Sequence, residues 1–563
     1  MTGAQRPGTA GSIGDPTESS ESIGEPVTED GPGDAQPVAD PLASATPEAP
    51  RRSAAALLRG GGWNTGAQLA PLAVNLVLTP FVIHGLGIGR FGLYILATSI
   101  ADFLGTFDGG LYSSSQRYFA VYAGAEDRRS TSRLCLSLTA AVLVLGTVMA
   151  GVLAVLAPVL LSLFRISDPL RSEGQFLLRA LGIVIALELL RGVFAAILNA
   201  RQRFAVSSLT TVGQYGVYAV GVVLAVHNGW GLRGIAATLL VQTGLSTLVL
   251  AVAARRYLSL SLMRFLSRRD MADFLRYASR AQVAGLSDLI NLQSDSMIIG
   301  GFLNVQSVTF YSSGRNFASQ LRSLPWNAIS PAASMLGRTY GERGSEAVLE
   351  QFRQLQRWWV QACSGWIAVA AGAAYFGVTQ WLGPGFRLAG VVAVVLLVGY
   401  LFRLWAGMMT VYCQTVGHPE LEAHYGLVSV LVNLVLTLAL VVPFGVLGVV
   451  GATAAGQLVG SLYLLHIVRS RLSATVPSFL ADVPWPASVL AAAVTVLLEL
   501  AAWPLFTQGP LGLLEAGVVA VPGLVVFAVV LLGPAAAWRV AAARLATLTK
   551  RGPDYRRDER EHA

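Results

Sequence analysis

Runs of about 20 mainly apolar residues, the length a helix needs to span a bilayer, recur along most of this chain, separated by short breaks carrying arginine, glycine or proline. In hydrocarbon every backbone N–H and C=O must be satisfied within the segment, so repeated runs of this length predict an all-α polytopic membrane protein. Composition agrees: of 563 residues, 54% are hydrophobic and 13% charged, well outside the balance of a soluble domain. The formal net charge of +8 does not point to nucleic acid, because the arginines lie in short loops between apolar runs.

The apolar runs place spans at 62–84, 91–112, 134–163, 175–199, 205–227 and 232–254, then at 280–302, 307–335, 357–380, 389–414, 421–443 and 446–468, with two more at 486–506 and 512–534. This reading gives about fourteen helices, in two six-helix lobes and a C-terminal pair. The corresponding divisions are a tail over 1–55, a lobe over 56–254, a basic amphipathic connector over 255–279, a lobe over 280–470, the extra pair over 471–537 and a charged tail over 538–563. The first tail is rich in Gly, Pro, Ser, Thr, Glu and Asp and has no apolar run, so it is expected to be disordered and not to act as a cleavable signal. Alternate loops differ sharply in arginine. One set holds Arg51, Arg52, Arg128, Arg129, Arg255, Arg256, Arg268 and Arg269 among others, whereas the opposite set holds Arg90, Arg165, Arg171, Arg233 and Arg387. The positive bias puts both termini on the cytoplasmic side of a plasma membrane, as an even span count requires.

An internal repeat underlies the two lobes. Residues 231–242 align with 446–457, pairing Ala237 with Ala452, Thr238 with Thr453 and Gln242 with Gln457, and Ala67-Gln68 echoes Ala281-Gln282. A duplicated unit with an even number of spans gives parallel repeats about an axis along the membrane normal, with substrate bound between them.

No phosphate-binding loop, HExxH, CxxC pair or long extramembrane loop is present in the sequence, so no enzyme site and no cofactor or metal is expected. Cys135, Cys363 and Cys413 read as small core residues. Charges inside spans are the functional candidates, since each costs several kcal/mol unless paired or wet. Asp288 and Asp295 are seven residues apart on one helix face, as are Arg315 and Arg322 on the next helix. Counting from a turn near Asn304, Asp295 and Arg315 fall about 14–17 Å deep, and Asp288 and Arg322 about 24–27 Å. Two readings stand: the four neutralise one another and fix packing, or the arginines face a wet cavity and bind phosphate while the aspartates tune them or bind a coupling cation, Na+ or H+. Arg403, with no carboxylate within a turn, needs an anion from elsewhere. Asp102 and Asp108 are further cavity candidates, whereas Glu188 and Arg191, three apart, read as a local pair.

Residues 87–97 (Gly87 to Ala97), followed by Asp108-Gly-Gly-Leu111 and Gln116-Arg117-Tyr118, together with Leu198 to Arg203 and Gly234 to Thr238, resemble bacterial polysaccharide flippases. These are the Wzx-type members of the multidrug/oligosaccharidyl-lipid/polysaccharide exporter superfamily. The resemblance covers roughly residues 60–470 and implies two six-helix lobes around a cationic cavity of alternating access that flips polyprenyl-diphosphate-linked sugars outward. Arg315, Arg322, Arg403, Arg117, Gln68 and Asn75 are then the substrate-binding candidates, and the implied partners are the lipid-linked glycan, membrane lipid, a polysaccharide polymerase or glycosyltransferases. Lipid II flippases of the same superfamily carry arginines in the first span, where this chain has Asn64, Gln68 and Asn75. A cation-coupled multidrug exporter of the same superfamily and a non-transporting scaffold for envelope glycan assembly are the competing functions.

Overall fold

The computed structural model describes residues 70–533 apart from 72, 109, 260–263, 327–328 and 473–478; side chains at 113, 280–281, 283–292, 330–331 and 479 lie outside the description as well. The chain divides into residues 1–56 and 57–563, and everything below concerns the second unit. Its described residues are helical: α1 Ala73–Leu86, α2 Ile88–Gly105, α3 Leu111–Gly124, α4 Arg128–Leu163, α5 Asp168–Ala200, α6 Phe204–His227, α7 Gly231–Ala254, α8 Arg268–Phe302, α9 Val305–Trp326, α10 Ile329–Leu382, α11 Arg387–Thr415, α12 Glu420–Arg471, α13 Phe479–Asp482, α14 Trp485–Ala502 and α15 Pro510–Leu532.

Ten of these helices are long and apolar enough to cross a membrane. One of them, α12, is two legs. Gly445 breaks it with φ 58°, a left-handed conformation that a glycine adopts without the Cβ penalty. The legs then fold back on each other: Gly456 lies against the Ser429 carbonyl and the Asn433 side chain, Gly460 against Tyr425, and Gly448 against the Leu440 carbonyl. That hairpin reproduces the expected spans 421–443 and 446–468. With α1, α8 and α9, which fail the test through shortness or polar content, the described helices match the fourteen segments read from the apolar runs. Gly448→Ala is expected to lower the melting temperature, because its Cβ would fall on the Leu440 carbonyl and overpacking of this kind costs about 1–3 kcal/mol. A thermal melt in detergent checks it.

Several boundaries differ from the sequence reading. The second span ends at Gly105, and a separate helix, α3, follows; Asp108 accepts from the Gly110 amide at 2.8 Å and the Tyr112 amide at 3.2 Å, which holds the first turn of α3. Asp108 is thus a helix-capping group. The connector does not end before the seventh span. Ser267 caps α8 by accepting from the Asp270 amide at 3.1 Å, and the helix runs unbroken to Phe302. Helix α9 is described to Trp326 and α10 from Ile329, residues 327–328 lying outside the description, and α10 carries an internal break at Gly344. Apolar content marks the run that lipid tolerates, whereas caps and glycines decide where the helix stops.

Packing between spans uses small residues. Gly182 of α5 lies on the Ala150 backbone of α4, where a Cβ would sit 2.8 Å from Cα, so the two helices approach closely. The three cysteines are free and buried, as expected of small core residues.

Candidate functional site

Helices α1, α2, α5, α6 and α7 face α8, α9, α10 and α15 across a cavity of about 830 Å³. Antiparallel packing of α2 on α8 closes one side: Gln282 Nε2 donates to the Thr106 carbonyl at 2.6 Å, and Gly300 packs on Leu96. At the far end of α2, Thr309 Oγ1 of α9 donates to the Ile88 carbonyl at 2.8 Å. Trp381 of α10 donates to the Leu76 carbonyl of α1 at 2.7 Å across the same divide. Each of these contacts joins the first group of helices to the second, so relative motion of the groups must break some of them.

The cavity wall is apolar with a polar stripe. On α2, Tyr94, Thr98 and Asp102 are four residues apart, hence on one face, and all three line the cavity. Tyr94 and Tyr218 bring their hydroxyls to 3.2 Å, and Gln293 Nε2 donates to Asp102 at 3.4 Å. Glu188 lines the cavity while paired with Arg191 at 2.6 Å, and accepts from Gln214 Nε2 at 3.3 Å. A second pocket of about 660 Å³ shares Asp102 and Glu188 with the first, so the polar stripe continues toward α3. On the opposite wall α9 presents Arg315, Asn316 and Gln320.

The structure therefore brings together Asn75, Asp102 and Arg315 from the sequence candidates. Arg322 lies over the Tyr400 ring at 4.8 Å and Arg403 over Trp326 at 5.6 Å, and neither is among the cavity-lining residues. Arg117, on α3, stacks over Tyr277 at 4.5 Å, also outside the cavity. Gln68 and the side chain of Asp288 lie outside the described residues, so the Asp288–Arg322 pairing has no described geometry.

Asp295 stands behind the cavity, 1% exposed. It accepts from the Tyr311 hydroxyl at 2.7 Å, the Thr453 hydroxyl at 2.8 Å and Asn433 Nδ2 at 3.5 Å; Thr437 donates to the Asn433 amide oxygen at 3.0 Å. Three side chains, from α9 and both legs of α12, thus bond one carboxylate of α8. Thr453 and Gln457 from the repeat both lie buried in this leg, as Thr238 and Gln242 do in α7. Arg315 connects the two regions. Its guanidinium lies 5.7 Å from the centre of the Tyr311 ring, whose hydroxyl bonds Asp295.

The sequence reading missed Tyr94, Thr98, Tyr218, Gln293, Asn316 and Gln320. The four-residue spacing of Tyr94, Thr98 and Asp102, and of Asn316 and Gln320, is the signal that marks them, a polar stripe on otherwise lipid-compatible helices.

The model of the polysaccharide biosynthesis protein family matches residues 57–335. A Shigella flexneri protein named as a candidate O-antigen transporter is 21% identical over 403 residues, spanning 70% of this chain and 93% of that protein. The succinoglycan biosynthesis transport protein ExoT of Rhizobium meliloti (strain 1021) is 24% identical over 312 residues, 53% of this chain and 58% of its own length. Among solved structures, the lipid II flippase MurJ in an inward closed conformation superposes with a TM-score of 0.62 at 14% identity, covering 84% of this chain and 98% of its own. An inward-facing multidrug resistance MATE family transporter of the MOP superfamily superposes with a TM-score of 0.60 at 17% identity, covering 72% and 95%. At these identities the structural likeness establishes the fold.

Proposed function

We propose that this chain belongs to the polysaccharide-flippase branch of the multidrug/oligosaccharidyl-lipid/polysaccharide exporter superfamily and carries a polyprenyl-diphosphate-linked oligosaccharide from the cytoplasmic to the outer leaflet by alternating access, a reading the family match and the transporter relatives support. The observation that carries this reading is the cavity of about 830 Å³ between two groups of helices, polar along one stripe and holding Arg315. Sites for small ligands run to about 1,000 Å³, so the space suits a diphosphate and its first sugars, while a polyprenyl tail stays in lipid. Arg315 supplies the forked donors that a diphosphate takes best, and Asn75, Asn316 and Gln320 supply amides for sugar hydroxyls.

The driving force in this reading is a cation, Na+ or H+, at Asp295. The carboxylate and the hydroxyl oxygens of Thr453 and Tyr311 offer hard oxygen ligands, beside the Asn433 amide. A charge moved through the membrane field gains about 2.3 kcal/mol per 100 mV. Occupancy at Asp295 reaches the cavity through Tyr311, which touches both Asp295 and Arg315. Two lobes related by the internal repeat would rock about this centre, with both termini cytoplasmic. Enzymes that build or polymerise the glycan are the partners this reading implies.

A second reading, export of organic cations, draws on Asp102, Glu188, Tyr94 and Trp366 in the same cavity. Photolabelling separates the two. A polyprenyl-diphosphate oligosaccharide carrying a diazirine on its first sugar is expected to label α9 around Arg315, and excess quaternary ammonium compound should leave that labelling unchanged. Labelling abolished by the quaternary cation, or absent from α9, would favour the exporter.

A further inference from the structure

A three-arginine pocket lies at the ends of α5, α6 and α7, away from the central cavity. Its volume is about 340 Å³, and Arg203, Arg255 and Arg256 line it beside Tyr257, Val249 and Val252. No carboxylate is among its described lining residues. Arg203 Nε donates to the Tyr257 hydroxyl at 3.1 Å, fixing one side, and Arg255 and Arg256 are exposed. Three guanidinium groups converging without an acid form an anion site, and their mutual repulsion is relieved when an anion enters.

An apolar groove of about 390 Å³ leaves this pocket between α6 and α7. It shares Val206 and Val249 with the pocket, passes Leu209, Gly213 and Leu245, and reaches Gln242. Gln242 also lines the central cavity. Pocket, groove and cavity thus share lining residues in succession, from the arginines over apolar surface to Gln242. An exposed apolar helix face is ordinary in a membrane; a concave track with a cationic head and a polar terminus is what an amphiphile with an anionic head fits.

We propose that the arginine pocket and the α6–α7 groove form a loading site that holds the diphosphate and the first part of the polyprenyl chain before the glycan enters the cavity. The inference rests on the flippase reading above. A diphosphate is chosen over the phosphodiester of a bulk anionic phospholipid because it carries more charge and more acceptor oxygens, matching three arginines.

The test uses the full-length protein in vesicles of phosphatidylethanolamine with a sugar-free polyprenyl diphosphate bearing a diazirine beside the diphosphate. Label is mapped by mass spectrometry. Labelling on α6 and α7 is expected, reduced about tenfold or more in the double variant Arg255→Glu, Arg256→Glu, whose exposed positions leave packing untouched. An added Cβ at Gly213 would meet nothing within 4 Å, so Gly213→Leu fills the groove without a clash and favours the helix. Gly213→Leu is expected to reduce labelling by the long-chain probe while sparing a short prenyl diphosphate. Unchanged labelling in both variants overturns the proposal, as does equal competition by phosphatidylglycerol, which would make this a site for bulk anionic lipid. Flipping of the glycan lipid is measured in the same preparations. Wild-type flipping with variants that label and flip normally removes the loading site and leaves the flippase reading intact, whereas no wild-type flipping removes the flippase reading itself.

Discussion

Arg315→Ala is expected to slow transport of the glycan lipid by about 30- to 5,000-fold, the range that follows from removing one partner of a desolvated charged contact. Among the described residues, Arg315 alone of the sequence-nominated arginines lines the central cavity. It also lies over Tyr311 at 5.7 Å, whose hydroxyl bonds Asp295, so in the proposed mechanism its removal takes away the phosphate donor and the link to the buried carboxylate together. Arg315→Lys keeps the charge without the fork and is expected to fall between wild type and alanine. Arg403→Ala is the contrasting variant. Its guanidinium lies over Trp326 at 5.6 Å outside the cavity, so the variant loses this cation–π contact, worth about 0.5–2 kcal/mol, together with its other local contacts, and the loss shows in the melting temperature with substrate affinity unchanged. Initial flipping rates, Kd for the glycan lipid and thermal melts of the three variants check the set.

Asp295→Asn is expected to abolish stimulation of transport by an ion gradient or membrane potential while glycan-lipid binding survives. The amide is nearly isosteric and can keep bonds to the Tyr311 and Thr453 hydroxyls, but it brings no charge to hold a cation. Asp295→Ala differs physically. It leaves the buried Tyr311 hydroxyl without this acceptor, at about 1–3 kcal/mol, whereas Thr453 keeps the Val449 carbonyl at 3.0 Å, so this variant should lose stability as well as coupling. Transport by Asp295→Asn that still responds fully to an imposed gradient would place the coupling cation elsewhere.

The membrane class, the helix count and the hairpin over 421–468 were legible because each rests on apolar run length, a signal every span must carry. Helix α3 was not. Its sequence from Leu111 to Gly124 mixes Arg117 and Gln116 with aromatics, so a hydropathy reading ends the second span nearby and sees a loop. The uninterrupted α8 was equally hidden, because the charged stretch from Arg268 to Arg276 reads as a connector although Ser267 caps a helix there. For the site, Asp295 and Arg315 were visible as charges within spans, but the distinction between them was not. Tyr311, Asn433 and Thr453 reach Asp295 from helices distant in sequence, and only their packing converts a charged residue into a buried, fully hydrogen-bonded one. Arg322 and Arg403 looked equivalent to Arg315 for the same reason: helical spacing gives the face of a helix, and the neighbouring helix decides whether that face meets a cavity or an aromatic ring.

The most direct test reconstitutes the intact protein in vesicles with a fluorescent polyprenyl-diphosphate oligosaccharide and measures how fast the lipid leaves the leaflet accessible to a membrane-impermeant quencher. Transport that is protein-dependent, accelerated by a cation gradient and abolished by Arg315→Ala is the predicted result. Movement no faster than in protein-free vesicles across several glycan lipids, with an organic cation transported by the same preparation, would contradict the account.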